Sequence, residues 1–171
     1  DISEKICADG STIVTLNATQ SGVVNETIWE ESVNSSTWTT IVPNNGTLST
    51  KVSPLQTTSY KVISQGLCES PETTPVSIET APVFTVDLFS DNTAYSPGAP
   101  ITLTVTESLP GAYTYLWNNN LPYVSQNTFN TLAPADPGTI SYTVTVKDAD
   151  GLCTATDVHE VEVGRLPTAI T

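Results

Sequence analysis

Asp148 and Asp150 stand two apart in the run Lys-Asp-Ala-Asp-Gly-Leu-Cys at residues 147–153. Clustered carboxylates on a turn are hard oxygen ligands, the kind that Ca²⁺ takes. Asp148-Ala149-Asp150-Gly151 is also plain turn chemistry, because Asp bonds its own backbone and Gly accepts a positive φ. No bidentate Glu at a fixed spacing completes a cage, so a turn is expected, with Ca²⁺ the one cofactor alternative. His159 is the single histidine. It shares a strand face with Val161 and Val163, which places it at the rim of a core. One histidine and no compact carboxylate pair leave little room for a triad or a multi-histidine metal site. No catalytic residue is named, and the chain is read as non-enzymatic.

The cysteines belong to a repeat. Residues 59–68 read Ser-Tyr-Lys-Val-Ile-Ser-Gln-Gly-Leu-Cys, and residues 141–153 read Ser-Tyr-Thr-Val-Thr-Val-Lys-Asp-Ala-Asp-Gly-Leu-Cys. Both open alike, alternate with period two and close alike, so the chain is a tandem duplication. Cys7 and Cys68 bracket the first copy. A disulfide between them would close a loop of roughly 60 residues, worth about 4 kcal/mol on a chain-entropy estimate. Cys153 matches Cys68, but Tyr95 stands where a match to Cys7 would be. Cys153 is therefore expected to be a buried free thiol or to pair outside this segment.

The aromatic residues register in the same way. Trp29 and Trp117 fall in the position of the central tryptophan of immunoglobulin-like sandwiches, where a large ring bridges two sheets. They are read as core, not as platforms for sugars. Tyr60 and Tyr142 open the strand on which a tyrosine corner ties back a loop. Trp38, Tyr113 and Tyr123 are the aromatics that could stack on glycans, although such residues more often cover their own sheet.

These residues need strands to position them. Strand patterns cover residues 11–18, 25–31, 36–42, 47–52, 59–64 and 74–80, then 83–89, 101–106, 112–117, 127–132, 139–147 and 154–163. Turn signals recur every 8–12 residues and no helical period survives, the pattern of an all-β sandwich. The expected fold is two tandem immunoglobulin-like β-sandwiches, residues 1–80 and 81–171, with a linker from about 164. Ala81-Pro82 is a short extended link. It is expected to set the two sandwiches end to end as a rod, which small-angle scattering would test.

Bulk properties narrow the partners. The 171 residues carry 18 acidic and 5 basic side chains, a formal net charge of −13. The charge is even, −6 over residues 1–80 and −7 over 81–171. Such a surface repels nucleic acid and anionic lipid. No run is long and apolar enough to span a membrane, so direct membrane insertion is not expected. Three cysteines fit an oxidising compartment. A chain without Met is expected to be a piece of something longer.

Trp117, Tyr142, Val144, Val146, Asp148, Gly151 and Cys153 form a W…Y-x-V-x-V-x-D-x-x-G-x-C arrangement. It resembles the immunoglobulin-like and PKD-like repeats of very large Bacteroidota surface proteins. Among these are gliding-motility adhesins exported by the type IX secretion system. The first copy, with Cys7, Trp29, Trp38 and Cys68, is similar to the cysteine-bearing variety, and the second is closer to PKD-like. Asn118-Asn119-Asn120 replaces the acidic, glycine-containing motif that usually follows the PKD tryptophan. The resemblance implies a secreted or cell-surface, non-catalytic stalk or spacer. Its partners would be neighbouring repeats of the same chain and surface polysaccharide. The alternative is a polysaccharide-binding accessory module of a secreted hydrolase. A weaker one, resting on the sequons at Asn17, Asn25, Asn34 and Asn45, is a eukaryotic adhesion-receptor ectodomain.

Overall fold

A computed structural model describes residues 4–19, 26–42, 46–65, 73–118 and 122–164. The chain divides into two compact units, Asp1–Val83 and Phe84–Thr171.

In the first unit the strands are β1 (Glu4–Cys7), β2 (Val14–Asn17), β3 (Glu26–Ser32), β4 (Thr39–Thr40), β5 (Ser49–Val52), β6 (Thr58–Gln65) and β7 (Val76–Ala81). One sheet has the order β1-β7-β6-β3-β4, and β2 pairs with β5 in the other. Alternation decides which side chains turn inward. Thr27 and Trp29 of β3 and Thr58, Tyr60 and Val62 of β6 are all buried. Ile6, Val14, Val52, Tyr60 and Ile78 form one apolar cluster, with Leu16 and Ile41 packed against it.

The second unit holds β8 (Val86–Ser90), β9 (Ala94–Tyr95), β10 (Pro100–Glu107), β11 (Tyr113–Trp117), β12 (Thr128–Leu132), β13 (Gly138–Asp148) and β14 (Thr154–Val163). Its sheets are β12-β10-β8 and β11-β13-β14-β9. Ile101, Leu103 and Val105 line one face of β10, and all are fully buried. Val144 and Val146 of β13 and Val161 of β14 are equally buried in the opposite sheet. At roughly 1.5–3 kcal/mol per large apolar side chain, these two rows are the main stabilising element of the unit.

Three differences from the sequence reading have local causes. The expected strand at residues 36–42 is reduced to Thr39–Thr40. Asn34 bends the chain there: its Oδ1 accepts the N–H groups of Ser36 and Thr37 at 2.9 Å, and Ser35 sits at φ +57°. Two strands were not expected, β1 and β9. Each is short and exists by parallel pairing with the last strand of its unit, Cys7 opposite Ala81 and Tyr95 opposite Val163. Tyr95 therefore holds in the second unit the place that Cys7 holds in the first. Finally, β7 runs through Ala81, the residue read from sequence as the start of the link.

Candidate functional site

The carboxylates act on the chain's own backbone. Asp148 Oδ1 accepts from Leu152 N at 2.7 Å and Cys153 N at 3.2 Å, while Gly151 closes the turn at φ +69°. Asp9 accepts both the amide and the hydroxyl of Ser11, which lowers its pKa, the amide bond foremost. Asp91 Oδ1 accepts from the Tyr95 hydroxyl at 2.6 Å and Thr102 N at 3.0 Å, and these two bonds, the tyrosine's first, hold its pKa down. Bonding to the ionised form is the shared cause. Among the described residues, no group of three or more His, Cys, Asp or Glu side chains is placed to hold a metal ion.

Asp148 is thus a turn clamp, and this leads to a test. Millimolar Ca²⁺ or chelator is expected to leave the melting temperature essentially unmoved. Asp148→Ala should cost about 1.5–3 kcal/mol with or without Ca²⁺, the usual worth of hydrogen bonds to a charged acceptor. Stabilisation by Ca²⁺ that disappears in Asp148→Ala would make Asp148 and Asp150 ligands.

His159 Nε2 lies 2.9 Å from Ser90 Oγ. A serine beside a histidine could be a nucleophile beside its base. Ser90 Oγ also bonds the carbonyl of Asn92, so its hydroxyl is shared with the backbone. The pair instead joins β8 to β14, strands of different sheets. Asp157 repeats the device, its Oδ2 accepting from Leu88 N at 2.8 Å. Sequence alone showed His159 at the core rim but not Ser90, because the two are 69 residues apart.

The cysteine expectation needs correcting. Cys7 and Cys153 are both disulfide-bonded. Cys153 is therefore not the unpaired thiol expected from the absence of a cysteine at position 95. Cys68 lies outside the described residues. The reading failed because repeat equivalence is not evidence of which cysteines are bonded. Alkylating the unfolded protein before reduction should leave Cys7 and Cys153 unlabelled. Labelling of either in protein made under oxidising conditions would contradict the structure.

The four residues read as core are Trp29, Trp117, Tyr60 and Tyr142, and each is buried. Neither Tyr60 nor Tyr142 donates to a backbone carbonyl among the described residues, so the tyrosine corner does not form there. Tyr113 makes a bond of that kind, its hydroxyl donating to Leu109 O at 2.9 Å. Of the three sugar-stacking candidates, Tyr113 is also packed on Phe84, with ring centroids 4.8 Å apart. The ammonium of Lys61 sits 4.5 Å from the centroid of Trp38, and that of Lys147 sits 4.5 Å from the centroid of Tyr123. Lys61 is itself buried and 3.3 Å from Glu30. These aromatic faces serve neighbours in their own chain.

No protein-family model and no curated protein matches the chain. Solved structures do. A C-terminal 282-residue fragment of intimin, in complex with the intimin-binding domain of the translocated intimin receptor, matches with a TM-score of 0.53 at 16% identity, over 95% of this chain and 62% of that one. The fold is an immunoglobulin-like β-sandwich. The chain is also similar to the fibronectin(III)-like modules of Clostridium thermocellum CbhA, with a TM-score of 0.42 at 16% identity over 99% of this chain and 94% of that one. The N-terminal four immunoglobulin domains of Dscam1 give 0.41 at 11% identity over 94% and 42%. At such identities the likeness concerns the fold alone.

Within the immunoglobulin-like plan the two units differ at one place the sequence did not reveal. Trp29 Nε1 donates to Thr47 O at 2.9 Å. Trp117 Nε1 is buried and has no hydrogen-bond partner among the described residues. Trp117 lies 5.5 Å from Phe129, the rings 20° from parallel. It also lines a groove of about 440 Å³ together with Pro122, Val124, Gln126, Thr128 and Asn130.

Proposed function

We propose that the chain is a non-catalytic pair of immunoglobulin-like modules from a long cell-surface adhesin or filament, acting as stalk or spacer. The observation that carries this reading is a shared strand plan built twice in tandem, with β4 added in the first unit and β8 in the second, down to the parallel pairing of β1 with β7 and of β9 with β14. Asp148, one of the two carboxylates that could have held a cation, clamps its own turn. An acidic surface would also keep neighbouring stalks apart. The intimin fragment, similar in fold, binds a receptor domain, which supports a place for such sandwiches in surface attachment. The spacing of Trp117, Tyr142, Asp148, Gly151 and Cys153 supports the narrower reading: a repeat of a Bacteroidota gliding-motility adhesin exported by type IX secretion. The groove at Trp117 favours a second reading, a polysaccharide-binding accessory module beside a secreted hydrolase.

Sequencing the whole open reading frame separates the two. Thousands of residues of similar repeats are expected, with antibody to this segment labelling intact cells. An adjacent catalytic domain would replace the stalk with the accessory module. A frame that ends shortly beyond these two units on both sides would defeat both.

A further inference from the structure

Glu31 is a carboxylate at a core-facing position. Alternation along β3 turns Thr27, Trp29 and Glu31 to the same side of the sheet, and the first two are buried. Glu31 stands directly opposite Tyr60 of β6 on one side and Thr39 of β4 on the other. Lys61, next to Tyr60, points to the other face of the sheet and sits 3.3 Å from Glu30. The Glu31 carboxylate makes no hydrogen bond or ion pair among the described residues.

Glu31 is half-buried and not sealed in, because it lines an opening of about 540 Å³. That volume lies within the range of ligand pockets, roughly 300–1,000 Å³. Two stretches of the lining are held by their own hydrogen bonds. Ser53, Pro54 and Leu55 come from the connection between β5 and β6, where the Ser53 hydroxyl bonds Gly10 O at 3.0 Å and Thr12 O at 2.8 Å. Leu55 rests on Gly10, where a Cβ would come within 3.3 Å of its Cδ2. Val33 and Asn34 lead into the bend that the Asn34 side chain fixes. Val33 and Leu55 are apolar yet 59% and 67% exposed.

The lining selects by charge. Among the described residues that line the opening, Glu31 alone is charged, so an anion is repelled. Ca²⁺ takes about six to eight oxygen ligands, and one carboxylate does not approach that number. A second copy of the chain would bring the same net charge of −13. A lone carboxylate beneath exposed apolar side chains suits an organic cation on a methylene stem, the stem lying on the apolar surface and the head reaching the charge.

We propose that this opening in the first unit binds a lysine or arginine side chain of a partner protein, with Glu31 as the counter-charge and Val33, Pro54 and Leu55 as the seat for the stem. The exposed Thr39 hydroxyl beside Glu31 is the acceptor for a second N–H. Tyr60 is only the floor: it is 1% exposed and offers no group to a ligand. The site stands independently of whether the chain is a stalk or an accessory module.

The test uses the whole ¹⁵N-labelled chain, titrated with the N-acetyl methylamides of lysine, arginine and norleucine. Both basic probes should shift the amide signals of residues 31–39 and 53–58 saturably. Norleucine, which has an unbranched aliphatic stem and no charge, should bind at least about tenfold more weakly. Glu31→Gln should weaken the basic probes by about tenfold or more, the loss of a charge-assisted contact. Glu79→Gln makes the same charge change at an exposed position of β7 and should leave binding unchanged. Leu55→Asn should weaken both basic probes with little change in melting temperature, since the side chain it removes is exposed. Three results overturn the site. One is the absence of a saturable shift with either basic probe. Another is an equal effect of Glu31→Gln and Glu79→Gln, which is attraction to the acidic surface as a whole. The third is norleucine binding as tightly as lysine.

Discussion

Trp29→Ala and Trp117→Ala are each expected to cost about 3–5 kcal/mol of folding stability, the range for truncating a large buried aromatic. Both indoles are about 95% buried, at 4% and 5% residual exposure, and removing either leaves a cavity that a close-packed sandwich cannot collapse. Denaturant unfolding of the whole chain should show the loss in the unit that carries the change. The conservative pair is more discriminating. Trp29→Phe removes the hydrogen bond to Thr47. Trp117→Phe removes an N–H that has no partner. Trp29→Phe should therefore cost more than Trp117→Phe by about 1 kcal/mol or more. Equal costs, or the reverse order, would show that the two tryptophans do not differ as the structure has them.

The same contrast shows what a sequence can and cannot disclose. Trp29 and Trp117 were legible as core because period-two alternation and repeat spacing fix which way a strand residue points. Ile101, Leu103 and Val105 were legible for the same reason. The turn at Asp148 could be read from Asp-Ala-Asp-Gly, since turn chemistry is local. What escaped depends on groups distant in the chain. β1 and β9 carry almost no signal of their own and exist through a partner strand about 70 residues away. The Ser90–His159 link needs two sheets to be brought together. The orphan at Trp117 depends on which acceptors the fold brings to the indole, and strand periodicity does not report that. The cysteine reading failed for a related reason: duplication predicts equivalent positions, but a disulfide is set by which cysteines meet in space.

Alkaline unfolding is the second large effect expected. Burial, and then the nearby Glu31 carboxylate, push the Tyr60 phenol up to about 12 from its usual value near 10. Tyr95, Tyr113, Tyr115 and Tyr142 are raised as well, burial first in each case, with Glu107 adding to Tyr113 and Tyr115 and Asp91 to Tyr95. The fold favours the neutral phenol. Its contribution is therefore complete below pH 10, where the phenol is protonated in folded and unfolded chain alike. It is lost as pH rises from the unfolded value toward 12, because the unfolded chain ionises first. For Tyr60 alone the loss is on the order of 2–3 kcal/mol at about 1.4 kcal/mol per pKa unit. The other four phenols act in the same direction, so ionisation and unfolding should arrive together. Ultraviolet absorbance of tyrosinate and far-ultraviolet circular dichroism, followed from pH 9 upward, should show one steep joint transition above pH 10. Tyr60→Phe should make that transition shallower by removing one linked proton. Five phenols that titrate smoothly near pH 10 while the dichroism of the strands is unchanged would contradict the buried environments described for them.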